Sequence, residues 1–158
     1  MSFTLLAEPI NPGSLREKML HPQAGAFSNY EGWVRSQNEK KEVTALSYTA
    51  YPELAQTVAE TILSEAKERF DIIDCRCVHR TGLLEVGDLA VWIGVTSSHR
   101  ESAFLACRYI IDNVKHRIPI WKKESYIDGT SAWIENHEVG DPAPTGLPGN
   151  LPNHSHGD

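Results

Sequence analysis

The chain has 158 residues, of which 41% are hydrophobic and 23% charged, and a formal net charge of −6. This length provides one compact core and excludes two domains of ordinary size. No stretch approaches the about 20 consecutive apolar residues of a membrane helix, and the overall acidity argues against a protein that coats nucleic acid through a broadly basic face.

The beginning of the chain predicts a strand followed by a short helix. Residues 3–7 have the pattern of a strand. Residues 12–17 contain a capping box, with Ser14 as the N-cap and Glu17 three residues later, and the helix is expected to stop near His21.

Two strands and a long helix are expected next. Residues 24–35 and 43–51 are predicted to pair with each other, and the polar segment 36–42 between them is predicted to be mobile. Pro52 is a suitable first residue for an amphipathic helix. Its buried stripe is predicted to contain Leu54, Val58, Ile62, Ala66 and Phe70.

The second half begins with a predicted hairpin and a second long helix. Residues 72–80 and 89–96 are its two strands, joined by a link with two glycines. A second capping box, Ser98 with Glu101, opens a helix that should run to about Lys115. Its inner stripe is predicted to contain Ala103, Phe104, Cys107, Ile110, Ile111 and Val114.

The last predicted element is a hairpin over residues 120–126 and 131–136, which completes an α+β fold with helices packed on a largely antiparallel sheet. Residues 138–158 include four prolines and four glycines. Such a segment buries too little apolar surface to offset its ordering entropy. We therefore predict one domain over residues 1–137 and a disordered tail.

The first residues and the cysteines indicate a cytoplasmic protein. Residues 1–8 lack the basic and long apolar regions of a signal peptide. Cys75, Cys77 and Cys107 are odd in number, and their spacing matches neither a disulfide framework nor a zinc site.

Positive charge is concentrated in one third of the chain. Residues 76–123 hold 8 of the 15 Lys and Arg residues but only 4 of the 21 Asp and Glu residues. Because the field of such a segment is local, it indicates a site for a small anion or an acidic partner.

Lys115 and Lys122 are candidates for chemistry, since one lies at a predicted helix end and the other on the next element. A turn between them could bring both ammonium groups to one pocket, where each would lower the pKa of the other and favour a nucleophile or base. The alternative is that Lys115 complements the helix C-terminus and Lys122 is solvated.

His99 and Arg100 lie in the first turn of the same helix, where backbone N–H groups readily hold a phosphate. Ordinary surface exposure is the alternative. Helix rise separates Arg100 from Lys115 by roughly 22 Å, so either two sites exist or opposite helix ends of two subunits build one site. Arg35, at the end of a predicted strand, is a further candidate anion clamp.

Three long motifs resemble the catalytic large subunit of molybdopterin synthase. They are HRTGLLEVGD at residues 79–88, VTSSHRESAF at residues 95–104 and IPIWKKE at residues 118–124. The similarity also includes GWVR at residues 32–35, and it extends from about residue 3 to residue 137.

This resemblance implies an α/β hammerhead fold and a cytoplasmic sulfurtransferase of molybdenum cofactor biosynthesis. The reaction would convert cyclic pyranopterin monophosphate (precursor Z) to molybdopterin with two sulfurs from the C-terminal thiocarboxylate of a small ubiquitin-like partner. The implied assembly is a homodimer within a heterotetramer. No resident cofactor or metal is implied, and neither nucleic acid nor a membrane is an expected partner.

The resemblance also assigns site residues. Lys115 and Lys122 match the two active-site lysines, Arg35 matches a pocket arginine, and His99 with Arg100 match residues that enter from the second subunit to hold the phosphate. His137 stands where some relatives have arginine, so this phosphate contact would depend on pH. A different class remains open from the residues alone, namely a non-catalytic anion-binding or scaffold module that uses the basic segment 99–123.

Overall fold

The computed structural model describes residues 1–134, which form nine strands and three helices. The strands are β1 (Ser2–Leu6), β2 (Ala26–Trp33), β3 (Gln37–Asn38), β4 (Lys41–Ala50), β5 (Asp74–Arg80), β6 (Gly82–Glu85), β7 (Leu89–Ser97), β8 (Ile120–Tyr126) and β9 (Ser131–Ile134). The helices are α1 (Pro12–Glu17), α2 (Pro52–Arg69) and α3 (Arg100–Arg117).

The first sheet has the strand order β1-β5-β7-β2, in which β1 and β5 are parallel and the other pairs antiparallel. Helices α2 and α3 pack on each other and on this sheet, with Ile62, Ile93 and Ile110 fully buried between the layers. A smaller cluster that contains Val78 and Trp92 packs against Leu15 of α1. The predicted α+β class and largely antiparallel sheet are confirmed.

The second sheet has the order β3-β4-β8-β9, and β6 adds to the free edge of β4. Its core contains Val34, Leu46, Leu84 and Tyr126. The predicted hairpins β5–β7 and β8–β9 are both present. Strand β6 was not predicted, because its four residues lie inside the link that the two glycines marked as a turn.

The predicted pairing of residues 24–35 with 43–51 is wrong. Strand β2 pairs with β7, from Ala26 opposite Ser97 to Trp33 opposite Leu89, whereas β4 pairs with β8. Alternating hydrophobicity identifies a strand but not its partner, and here each partner is distant in the sequence.

Both predicted capping boxes are also wrong. The N-cap of α1 is Asn11, whose side chain accepts a hydrogen bond from the Ser14 N–H at 3.1 Å. The N-cap of α3 is His99, which makes no side-chain cap bond. The first helix ends at Glu17, before the predicted stop near His21, and α3 extends to Arg117 rather than Lys115.

The buried faces of α2 and α3 differ in part from the predicted inner stripes. Leu54 is 53% exposed and Phe104 is 62% exposed. The buried faces of α2 and α3 instead include Ala55, Ala59 and Ala106. These small side chains allow the two helices to approach closely, so the alanines take interior positions while Leu54 and Phe104 point outward.

The segment 36–42, which is predicted to be mobile, contains a tight hairpin. Gln37 pairs with Glu42 and Asn38 with Lys41. The two turn residues, Glu39 (φ 51°) and Lys40 (φ 69°), both have left-handed backbone conformations.

Two predictions lie outside the described residues, namely the site residue His137 and the tail 138–158. Within residues 1–134, no helix has the length and apolar character needed to cross a membrane.

Candidate active site

The turn between α3 and β8 brings Lys115 and Lys122 to the same side of the fold. Lys115 lies in the last turn of α3, and Lys122 is the third residue of β8. Ile118 and Ile120, each 2% exposed, anchor the turn in the main core. Their burial fixes the direction in which the chain returns.

A cavity of about 270 Å³ contains Lys115, Lys122 and Arg35 in its lining. These cations come from three places, the end of α3, strand β8 and the segment that follows β2. The remaining lining residues are Tyr30, Glu31, Gly32, Trp33, Leu46, Tyr48, Ala90, Val91 and Glu124. The lining holds three cations against two carboxylates, Glu31 and Glu124, a formal balance of +1, so the arrangement favours an anionic substrate or the charge of an anionic transition state beside the cations.

A buried carboxylate lies in the wall of the same cavity. Glu124 is 4% exposed, and its two oxygens accept hydrogen bonds from the Asn38 amide at 3.0 and 2.9 Å and one from the Tyr126 hydroxyl at 2.8 Å. The Asn38 side-chain oxygen in turn lies 3.5 Å from the Arg35 guanidinium. Asn38 therefore joins Glu124 to one of the three cations.

Lys115 and Lys122 also line a second, small cavity of about 60 Å³, together with His79 and Tyr48. Burial, with a further contribution from Lys122, lowers the pKa of His79 to about 4, although the hydrogen bond to Arg80 opposes this shift. Burial and the charge of Glu124 raise the pKa of Tyr48 to about 12. Both side chains are therefore neutral near pH 7 and add no charge to the cavity that they share with the two lysines.

Direct contacts fix the His79 and Tyr48 rings. The His79 and Tyr48 rings meet edge to face with centroids 5.0 Å apart. His79 Nδ1 lies 2.8 Å from the Arg80 carbonyl oxygen. Because a carbonyl oxygen only accepts, Nδ1 carries the ring proton and Nε2 keeps its lone pair.

A larger cavity of about 400 Å³ adjoins the first, since Tyr30 and Lys115 line both. It lies between the edge strand β2 and α3 and is lined by Ser28, Asn29, Tyr30, Phe104, Cys107, Arg108, Ile111, Asp112, Lys115 and His116. Lys115 thus stands at the junction of two open spaces.

The other predicted phosphate ligands do not reach these cavities in a single copy. His99 and Arg100 are at the N-terminal end of α3, roughly 22 Å from Lys115 by helix rise. Of the six predicted site residues, the structure brings together Arg35, Lys115 and Lys122, places His99 and Arg100 elsewhere, and does not describe His137.

Sequence reasoning missed the neutral and acidic members of the site. A signal for Glu124 was available, because residues two apart on a strand share a face and Glu124 is two residues after Lys122. Asn38, Tyr48 and His79 carried no comparable signal.

The MoaE protein family matches residues 5–117 of the chain. A molybdopterin synthase catalytic subunit from Thermoplasma volcanium is 44% identical over 124 residues, which cover 78% of this chain and 90% of the relative. The subunit of the same name from Bacillus subtilis is 34% identical over 146 residues and 92% of each chain.

Solved structures agree with the sequence comparison. The crystal structure of molybdopterin synthase from Staphylococcus aureus superposes with a TM-score of 0.78 at 35% identity, covering 82% of this chain and 94% of that one. The fold and the sequence together show that the chain belongs to the MoaE protein family.

Proposed function

We propose that the chain is the catalytic subunit of a cytoplasmic molybdopterin synthase. The reaction converts cyclic pyranopterin monophosphate to molybdopterin, and a small ubiquitin-like partner supplies both sulfurs as a C-terminal thiocarboxylate. The relatives with 44% and 34% identity support this assignment, since both carry the name molybdopterin synthase catalytic subunit.

The observation that carries the proposal is the convergence of Arg35, Lys115 and Lys122 on one cavity. Both reactants are anionic, because one carries a cyclic phosphate and the other a thiocarboxylate. Like charges repel when they approach in a site of reduced dielectric, so joining them requires local positive charge. The three cations outnumber the two carboxylates, Glu31 and Glu124, that line the same cavity of about 270 Å³, and they supply that charge.

Lys115 and Lys122 have different parts in the proposal. Lys115 stands where two cavities meet and acts as the acid–base group or as the transient acceptor of the partner's C-terminal acyl group. Lys122, on strand β8, positions the substrate and stabilises developing negative charge.

His99 and Arg100 enter the proposal through a second copy of the chain. In a two-fold dimer, opposite ends of two α3 helices can meet, so these residues would hold the phosphate in the partner copy's cavity. His137 would add a phosphate contact. The proposed assembly is a homodimer with one small sulfur-carrier subunit at each end.

Reconstitution with purified components tests the function. The protein is mixed with a thiocarboxylated small subunit and cyclic pyranopterin monophosphate, and molybdopterin is measured as its fluorescent oxidation product. We expect product from the wild type and a loss of about 100-fold or more in Lys115→Ala. Lys115→Arg is expected to fail as well, because arginine neither gives up a proton nor accepts an acyl group.

Lys123→Ala is the matched control. It removes the same charge one residue from Lys122, but the Lys123 ammonium lies 5.7 Å from the centre of the Trp133 ring and does not line the cavity. We expect near wild-type activity. Absence of product from the wild type, with a partner proven on a known synthase, would contradict the function and favour an anion-binding module.

A further inference from the structure

Asn38 has an unusual environment for a residue at a sheet edge. It belongs to the two-residue strand β3, yet it is only 8% exposed. Strand β4 separates β3 from β8 in the sheet order, so the Asn38 side chain crosses β4 to reach Glu124. This long-range contact ties the hairpin to the strand that carries Lys122.

The two ends of the Asn38 amide have different partners. The NH₂ group donates to both oxygens of Glu124, at 3.0 and 2.9 Å. The carbonyl oxygen accepts from the Arg35 guanidinium at 3.5 Å. An amide is neutral and donates at one end while it accepts at the other, so it can bridge a carboxylate and a guanidinium without adding charge.

The Asn38 contact acts on an arginine whose own side chain is exposed. A long exposed arginine samples many rotamers, and fixing it in one costs conformational entropy. The buried end of the bridge is itself well held, since Tyr126 also donates to Glu124 at 2.8 Å. The Lys41 ammonium, also on the hairpin, lies 4.8 Å from the centre of the Tyr126 ring.

We propose that Asn38 is a positioning residue, which holds the Arg35 guanidinium at the cavity and links that position to β8 through Glu124. Its contribution would appear in binding of the anionic substrate rather than in the chemical step. This role rests on the proposed function, in which Arg35 contacts the substrate anion.

Removal of the amide tests the role. Asn38→Leu keeps the approximate shape of the side chain but neither donates nor accepts, and Asn38→Ala is a smaller variant for the case in which leucine prevents folding. Gln37→Ala, at the exposed neighbour in the same strand, is the control. Circular dichroism and thermal unfolding establish that each variant is folded.

The first measurement is independent of activity. NMR relaxation of the Arg35 Nε–H group, assigned with Arg35→Ala, reports how well this side chain is ordered. We expect an ordered group in the wild type and in Gln37→Ala, and a flexible one in Asn38→Leu, with an order parameter below about 0.6. Unchanged order of Arg35 in a folded Asn38 variant would overturn the proposal.

The second measurement is steady-state conversion of cyclic pyranopterin monophosphate. Loss of a hydrogen bond to a charged group should raise the KM of Asn38→Leu about tenfold, with a smaller change in kcat. In an Arg35→Ala background the same substitution should change KM by less than about twofold. A KM effect that persists there would assign Asn38 a structural role.

The outcomes separate this role from the proposed function. If the wild type makes no product, the function fails while the NMR measurement still decides whether Asn38 positions Arg35. If neither Asn38 variant folds, Asn38 belongs to the stability of the fold and the positioning role is overturned.

Discussion

The ion pair between α2 and α3 gives a prediction whose magnitude follows from its geometry. Arg117 donates from both terminal nitrogens to Glu65, at 2.7 and 3.0 Å, and the Tyr109 hydroxyl donates to the same carboxylate at 2.6 Å. The side chains of Arg117 and Glu65 are only 24% and 14% exposed. This bidentate pair joins the two helices that cover the first sheet.

Arg117→Met keeps the aliphatic part of the side chain and leaves Glu65 without its cation. Hydrogen bonds to charged groups are worth more than neutral ones, and after a discount for partial exposure we expect a loss of about 2 kcal/mol in the free energy of unfolding. For a domain of this size the melting temperature should fall by roughly 4–8 °C. Urea unfolding followed by circular dichroism measures the free energy, and thermal unfolding followed by the same signal measures the melting temperature.

The dependence on pH provides a second check. Burial raises the pKa of Glu65, but the hydrogen bonds and charge of Arg117, with Tyr109 and Arg69, outweigh it and hold this pKa below its ordinary value. The pair therefore stabilises the fold fully above the unfolded-state pKa of glutamate, about 4.3, and the contribution is lost as pH falls through the lower folded-state pKa. The difference between wild type and variant should shrink over the same acidic range.

Arg108→Met is the matched control, because Arg108 pairs with Asp112 at 2.9 Å in the same helix but is 63% exposed. Arg108→Met should lower the free energy of unfolding by less than about 0.5 kcal/mol. Equal destabilisation by the two substitutions at neutral pH would refute the reasoning. A difference that stays constant down to about pH 3 would refute it as well.

Two further stability predictions concern backbone geometry. Lys40→Gly should stabilise the protein by about 0.5–1 kcal/mol in urea unfolding, because glycine adopts the left-handed conformation of Lys40 (φ 69°) without strain; a decrease would contradict this explanation. Gly94→Ala should cost about 2–3 kcal/mol, since the new Cβ would lie 2.4 Å from the buried Trp92 ring. Gly13→Ala is the control, because the nearest atom to its new Cβ lies at 3.5 Å, and it should be neutral or slightly stabilising in the same assay. An equal loss of stability in Gly13→Ala and Gly94→Ala would show that steric crowding is not the cause.

Local features of the fold could be predicted from the sequence, and pairings between distant segments could not. Hydrophobic periodicity and turn residues located both long helices and the two hairpins whose strands are close in sequence. The partner of β2 is β7, some 60 residues away, and no local pattern encodes that choice. The caps failed because Asn11 and His99 occupy the N-cap positions, so each helix starts at a different residue from the one that the Ser–Glu spacing suggested.

In the candidate site, too, local features could be predicted and contacts between distant segments could not. Lys115 and Lys122 were predictable as a pair because a short turn joins the elements that carry them. Arg35 was only one of several exposed strand-end cations until the fold placed it beside them. Asn38 reaches Glu124 across 86 positions of the chain, and a contact of that kind follows only from the finished sheet.

The difference in how these cations are held has a consequence for local unfolding. The turn that presents both lysines is anchored by Ile118 and Ile120 in the main core, so exposing it requires most of the global free energy of unfolding. Strand β3 has only two residues at the edge of its sheet, and besides its pairing with β4 the Asn38–Glu124 contact holds it, so it opens at a lower free energy than the core. Local unfolding therefore leaves the lysines in place, whereas the position of Arg35 depends on whether the two-residue strand β3 stays paired.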